Sequence, residues 1–397
     1  MQKTLLKILL PALFLFGSFG PAKAEALSLE LADSLSYQYY LAADWDQLLV
    51  LGKQAQKEGI DFKYLQQRLG YACFMQKQYY KSIRHYQQAL KFDPQDKLTQ
   101  LYLYYNGLNT GMRSFARYYA GKLAKTDFEQ YTEDSGFRPL DAIDVEYSYK
   151  LAAHNQRDNA NYQRFGINTF LTYQLSLYQS VSRFRQRSDQ VNLSKQNEYY
   201  ALLGWTPLQR LSFGLAYHYV DTKVLLGEDV YPYPGHVFLG KMDFWHQRLL
   251  FSLSASDFRN DYVRSSQLAA HLGLGFAGAN NIYLKSSLFR VFENRVYEGS
   301  SGGRFIFKQT AGIMLFDKIW TEASVNVGNL DNFVDLDGLY IYNSLDRSTF
   351  RSGLSTYWYI NKNWTFYLNY TYDTKNIVLY NEFYTQQSIT GGLLWKL

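Results

Sequence analysis

The sequence predicts a two-part α + β chain, with helical repeats in front and a closed antiparallel transmembrane β-barrel of about 14 strands behind. Three observations predict it. From about residue 141 to the C-terminus the chain repeats an alternating strand, a tight turn, a second alternating strand and a longer polar loop. In the last strand Ile389, Gly391, Leu393, Trp395 and Leu397 share one face, while Ser388, Thr390, Gly392 and Lys396 share the other, so one side suits lipid and the other a wet lumen. Rings are also abundant: 37 Tyr, 27 Phe and 7 Trp make up 18% of the chain, and amphipathic rings prefer the membrane–water boundary. Hydrocarbon offers no partner to an open strand edge, so such a sheet must close on itself.

Residues 1-24 read as a signal peptide. Lys3 and Lys7 flank the start of an apolar stretch running to about Phe19, and Pro21-Ala22-Lys23-Ala24 supplies small residues for cleavage after Ala24. The alternative, a retained anchor helix, is disfavoured because the apolar core is shorter than the ~20 residues a span needs. Glu25 stands where a lipid-anchored protein would carry Cys. Later in the chain no apolar run reaches the ~18 residues of a helical span. A mean hydropathy of -0.32 still accommodates a barrel, whose strands hide their apolar residues in alternate positions.

The segment 25-125 reads as helical. Between Asp61 and Pro94 the spacing matches a tetratricopeptide repeat: Leu69 and Gly70 at the close approach of the first helix, Ser82 where the second crosses, Tyr86 and Ala89 on its buried face, and Pro94 ending the unit. Gln66 and Cys73 depart from the residues usual at their positions. An ordinary helical hairpin is the alternative. Leu29 to Lys57 reads as two helices with Asp44 as a cap, Asp96 caps a helix starting near Lys97, and Arg113 to Lys125 forms the last. One repeat cannot bury its own apolar face, so about three must stack. Their concave surface, rich in Tyr, suits a periplasmic protein or peptide partner. Cys73, the single cysteine, rules out an internal disulfide and reads as a small core residue.

After a linker at 126-140, the barrel spans 141-397. Strands are expected near 141-151, 161-171, 173-186, 195-206, 210-220, 235-245, 248-258, 264-276, 281-292, 303-316, 320-329, 346-360, 363-373 and 384-397. Longer loops are expected near 187-194, 221-234, 293-302 and 330-345. An even strand number returns both barrel ends to one side, and short turns of such barrels face the periplasm, which places the helices there. A soluble β-sandwich or propeller is the rival reading.

No catalytic constellation emerges. His85 sits in a helix, His154, His236 and His246 in or beside loops and turns, and only His218 and His271 have lumen-facing slots. No His or Cys spacing suggests a metal, Gly273, Gly275 and Gly278 fit a hairpin better than a nucleotide loop, and no cofactor is implied. The net charge of +6 is dispersed, without the basic runs that mark nucleic-acid partners. The lumen-facing charges are the more useful set: Asp144, Glu146, Lys150, Arg164, Glu198, Lys241, Asp243, Lys285, Lys308, Glu322, Arg351 and Lys396. They line a water path that favours anions, or they pair into a plug.

The last eight residues, with Thr390, Gly392, Trp395 and Leu397 alternating, resemble the terminal signal that outer-membrane barrels offer to their insertion machinery, although Leu replaces the commoner Phe. A signal peptide, tetratricopeptide helices and a barrel together resemble the poly-N-acetylglucosamine export porins and the surface lipoprotein assembly modifiers. The resemblance implies a non-enzymatic outer-membrane protein that exports polysaccharide or lipoprotein, with helices that recruit a periplasmic partner. The alternatives are a passive anion-preferring porin and a plugged structural anchor.

Overall fold

A computed structural model of the chain describes residues 27–123, 139–188, 193–226, 228–276, 281–296, 299–343, 346–377 and 381–397. The expected signal peptide and most of the expected linker lie outside the described residues, as does the turn at Gly278.

Among the described residues six helices come first: α1 (Leu29–Leu41), α2 (Trp45–Lys57), α3 (Lys63–Met75), α4 (Tyr79–Phe92), α5 (Lys97–Asn109) and α6 (Arg113–Ala120). Short acidic side chains set two of the starts. Asp44 accepts from the Gln47 N–H at 3.1 Å and Asp96 from the Thr99 N–H at 2.8 Å, each satisfying a donor that a helix start leaves free. The last helix stops at Ala120, short of Lys125, where Gly121 caps it.

Small residues let the helices approach. A Cβ on Gly70 would lie 2.9 Å from the Tyr86 ring, and one on Gly107 would lie 2.9 Å from Ala116. Leu69, Gly70, Ser82, Tyr86 and Ala89 are all buried, and the Ser82 hydroxyl donates to the Gly70 carbonyl at 2.8 Å. Pro94 follows the α4 C-cap, Asp93. Cys73 is buried, and burial pushes its thiol up to about 11.

Fourteen strands close the barrel: β1 (Leu140–Ala152), β2 (Arg157–Phe170), β3 (Leu175–Ser188), β4 (Leu193–Leu208), β5 (Leu211–Leu226), β6 (Asp229–His246), β7 (Leu249–Asn260), β8 (Val263–Phe276), β9 (Ile282–Arg295), β10 (Ser300–Leu315), β11 (Ile319–Val327), β14 (Arg347–Tyr359), β15 (Trp364–Ile377) and β16 (Glu382–Lys396). Between β11 and β14 lie two short strands, β12 (Val334–Asp335) and β13 (Tyr340–Ile341), which pair only with each other. Closure is made by β1 and β16, in register from Ala142 opposite Lys396 to Ala152 opposite Gln386. Both first and last barrel strands therefore have their free ends at the same mouth, the one beside the helices. Alternation sorts the faces: Val145, Leu215, Phe238, Leu253, Leu288, Phe305 and Leu354 are exposed outward, while Asp144, Glu146, Ser148, His218, Ser252 and Thr371 are buried inward.

Three expectations about the loops are corrected. The segment 221-234 is not a loop but the tip of a long hairpin, with β5 and β6 in register out to Leu226 opposite Asp229. Pro232 and Pro234 fit there because β6 pairs with β7 only from Gly235 onward, leaving an edge that requires no N–H donor. The β9–β10 hairpin likewise pairs out to Arg295 opposite Ser300, inside the expected loop at 293-302. The third correction concerns 330-345, whose described residues fold into the lumen.

Candidate functional site in the barrel lumen

The segment 328–343 turns inward and is bound to the wall on several sides. At its root, Arg304 donates to the Asn329 carbonyl at 2.8 Å and to Glu293 at 2.9 Å, and Arg295 pairs with Asp331 at 3.0 Å. Further in, Lys308 holds both oxygens of Asp335, at 2.9 and 2.7 Å. Gln267 mimics a strand neighbour, donating to the Val334 carbonyl at 2.8 Å and accepting from its N–H at 3.2 Å. At the tip, Lys241 meets Asp337 at 2.5 Å, the Tyr200 hydroxyl donates to the Asp337 carbonyl at 2.8 Å, and the His218 ring bonds the Gly338 carbonyl at 2.8 Å. The backbone reverses here through three residues with positive φ, Leu336, Asp337 and Gly338 at +49°, +58° and +90°. On the opposite wall, the Tyr340 hydroxyl donates to Glu146 at 3.0 Å.

Apolar contacts complete the seating. Leu330 and Phe333 are fully buried against Phe289, Val291 and Ile306, and Val334 packs on Tyr200, Val237 and Phe258. Loop and wall thus share one small core. The carboxylates of Asp331, Asp335 and Asp337 come from the loop and their cationic partners from the strands, so the loop neutralises a basic wall.

The structure sorts the lumen residues read from the sequence by their partners. Lys241, Lys308 and Glu146 touch the loop directly. Arg164, Glu198 and Asp243 bond within the wall: Arg164 to Glu146 at 2.6 Å and Asp144 at 3.0 Å, Glu198 to Ser182 at 2.6 Å, and Asp243 to Ser252. Arg351 pairs with Asp373 at 3.3 Å and also lies over the loop's Tyr342 ring, 5.4 Å from its centroid. Lys285 and Glu322 make no ion pair among the described residues. Lys396 lies exposed at the helix-side mouth. In the last strand Thr390 is buried against Ser148 and Gly392 against the Tyr367 ring, whereas Trp395 stacks outward on Trp364 with ring centroids 5.4 Å apart. The Leu397 N–H donates to the Asp141 carbonyl at 2.9 Å.

Sequence reasoning missed Asp331, Asp335, Asp337, Tyr340 and Tyr342, all on the inward loop. A clue lay in its composition: Leu330, Phe333, Val334, Leu336, Leu339, Ile341 and two Tyr are more apolar than a solvated loop requires.

The helices cover the other mouth. Tyr80 lies over Gly275, where any Cβ would collide with its hydroxyl, and Trp245 packs on the cluster of Ile83, Tyr86 and Phe115. Arg117 donates to Ser176 at 2.9 Å, Tyr119 bonds Gln209, and Lys77 pairs with Asp317 at 2.8 Å. At the far end a cavity of roughly 270 Å³ opens above the loop, lined by Gln186, Gln196, Tyr233, Asn260, Tyr262 and Asn343. Among the described residues no group of three His, Cys, Asp or Glu could hold a metal ion.

No protein-family model and no curated protein sequence matches the chain. Several solved outer-membrane structures are distantly similar to it. The CymD monoaromatic hydrocarbon channel has 8% identity and a TM-score of 0.41, covering 70% of this chain and 92% of its own. A bacterial polysaccharide outer membrane secretin has 8% identity and a TM-score of 0.41, covering 65% and 99%. An anion-selective porin from Comamonas acidovorans has 9% identity and a TM-score of 0.35, covering 65% and 98%. Likeness this distant carries no functional argument.

Proposed function

We propose that the chain is a non-enzymatic outer-membrane translocation component, closed at rest, that carries polysaccharide or lipoprotein toward the cell surface. The helices lie in the periplasm and recruit a partner or cargo, and the long hairpins face outward. One observation carries this reading: the lumen is blocked by an inward loop pinned through ion pairs, while the opposite mouth is covered by a separate helical layer. Two closures in series suit gated passage, whereas a passive porin would need a continuous water path. A plugged anchor is the second reading, favoured by the same ion pairs.

Deletion of residues 27–123 tests the recruiting role. Surface polysaccharide should be lost while the barrel still inserts and migrates as a folded species. Unchanged surface display in that deletion would remove the role, and so leave the anchor reading.

A further inference from the structure

The outer wall holds a feature that transport does not explain. On β3, Ser176, Ser180 and Ser182 face the lumen, so Arg183 and Arg185 face outward. On β4 and β5, Tyr200, His218 and Val220 point inward, which turns Lys195 and Lys223 outward. Register then aligns these cations. Arg185 stands directly opposite Lys195, and Lys195 directly opposite Lys223. Residues so paired have Cβ atoms about 5 Å apart, and like charges in that position repel. One row below, Arg183, Asn197 and Asp221 are aligned in the same way, and Asp221 is the only described carboxylate in this patch, 3.5 Å from Lys223. Arg185 Nε is buried without a hydrogen-bond partner.

Height on the wall matters as much as charge. Immediately toward the helices, the outward residues become apolar, with Val181, Tyr199, Leu215 and Phe238 exposed. The cations therefore sit just beyond the apolar band, at headgroup level. At the helix-side rim the outward face carries the stacks of Trp205 on Phe213 and Trp364 on Trp395.

We infer that Arg183, Arg185, Lys195 and Lys223 form a binding site for the phosphorylated headgroup of an outer-leaflet glycolipid. A phosphate offers several acceptor oxygens to guanidinium and ammonium donors at once and relieves the cross-strand repulsion. The acyl chains would lie on the apolar strip below. The assignment rests on the proposed orientation, with the long hairpins outward.

The test uses the full chain, purified in a zwitterionic detergent, and a diglucosamine bisphosphate lipid as probe. Binding is read by native mass spectrometry for the wild type, for Arg185→Gln/Lys195→Gln/Lys223→Gln, and for the charge-keeping Arg185→Lys/Lys195→Arg. The expected result is at least ~10-fold weaker binding in the first variant and binding within about twofold of wild type in the second. Heat-modifiable migration shows that both variants fold. Equal binding by wild type and the Gln variant, or equal binding of the dephosphorylated lipid, overturns the proposal. Equal competition by phosphatidylglycerol or by inorganic phosphate overturns the glycolipid assignment. Binding in detergent does not depend on orientation, whereas labelling of Glu228→Cys on whole cells reads orientation alone, so the two failures are distinguishable.

Discussion

The two closures of this barrel are made of different materials. The inward loop is held by ion pairs as well as by packing, with carboxylates from the loop meeting cations from the strands. The helical layer at the other mouth is held by rings and close-packed small residues, with Tyr80 on Gly275 and Trp245 in the helical core. Ion pairs can be exchanged for water and counter-ions, whereas interlocked rings must move as a body. The contrast teaches that the loop is the element suited to release by a charged or polar cargo, and the helices are the element suited to stay.

Four predictions bear on that contrast. Leu65 is 1% exposed in the helical core, so Leu65→Ala should cost the helices about 3 kcal/mol by removing buried volume. Helical circular dichroism should then melt earlier while the strand signal holds. Joint melting would mean that the two closures are one cooperative unit. At the other closure, Lys308→Met leaves Asp335 buried without its partner and should weaken the seated loop by roughly 2–3 kcal/mol. Faster protease cleavage within 328–343 would report it, and Lys308→Met/Asp335→Asn should recover part of the loss.

A smaller effect is expected at the helix–barrel contact. Gly275→Leu fills the space under Tyr80 and should undock the helices at about 1–2 kcal/mol, seen as loss of a zero-length crosslink between Lys77 and Asp317. The smallest effect is one of pH. Burial lowers His85 to about 4, while the unfolded ring titrates near ~6.5. Between those values the unfolded chain binds more protons, so helical stability falls as pH drops from about 6.5 to about 4. Above that window the penalty is absent. Melting of His85→Gln should be flatter across the same range.

Much of this architecture was legible because strand faces are written locally. Ser212, Gly214, Ala216 and His218 alternate with Leu211, Phe213, Leu215 and Tyr217, and the wall follows that pattern. Helix starts at Asp44 and Asp96 were legible for the same reason. What escaped was non-local. The pairs Lys241–Asp337 and Lys308–Asp335 join residues 96 and 27 positions apart, and no local period encodes an inward fold. Pro232 and Pro234 misled because a strand edge removes the penalty that normally expels them. The docking role of Gly275 depends on Tyr80, far away in the chain.

The central claim is that this lumen is shut twice. Current across a planar bilayer tests it most directly, comparing the full chain with one that combines Gly275→Leu and replacement of 329–343 by a short Gly-Ser turn. The full chain should be silent. The altered chain should show steady steps that prefer anions, because Lys308 loses its Asp335 partner and Lys241 and Arg295 each lose one of two carboxylates. Steady steps of the same size through the full chain would contradict the account.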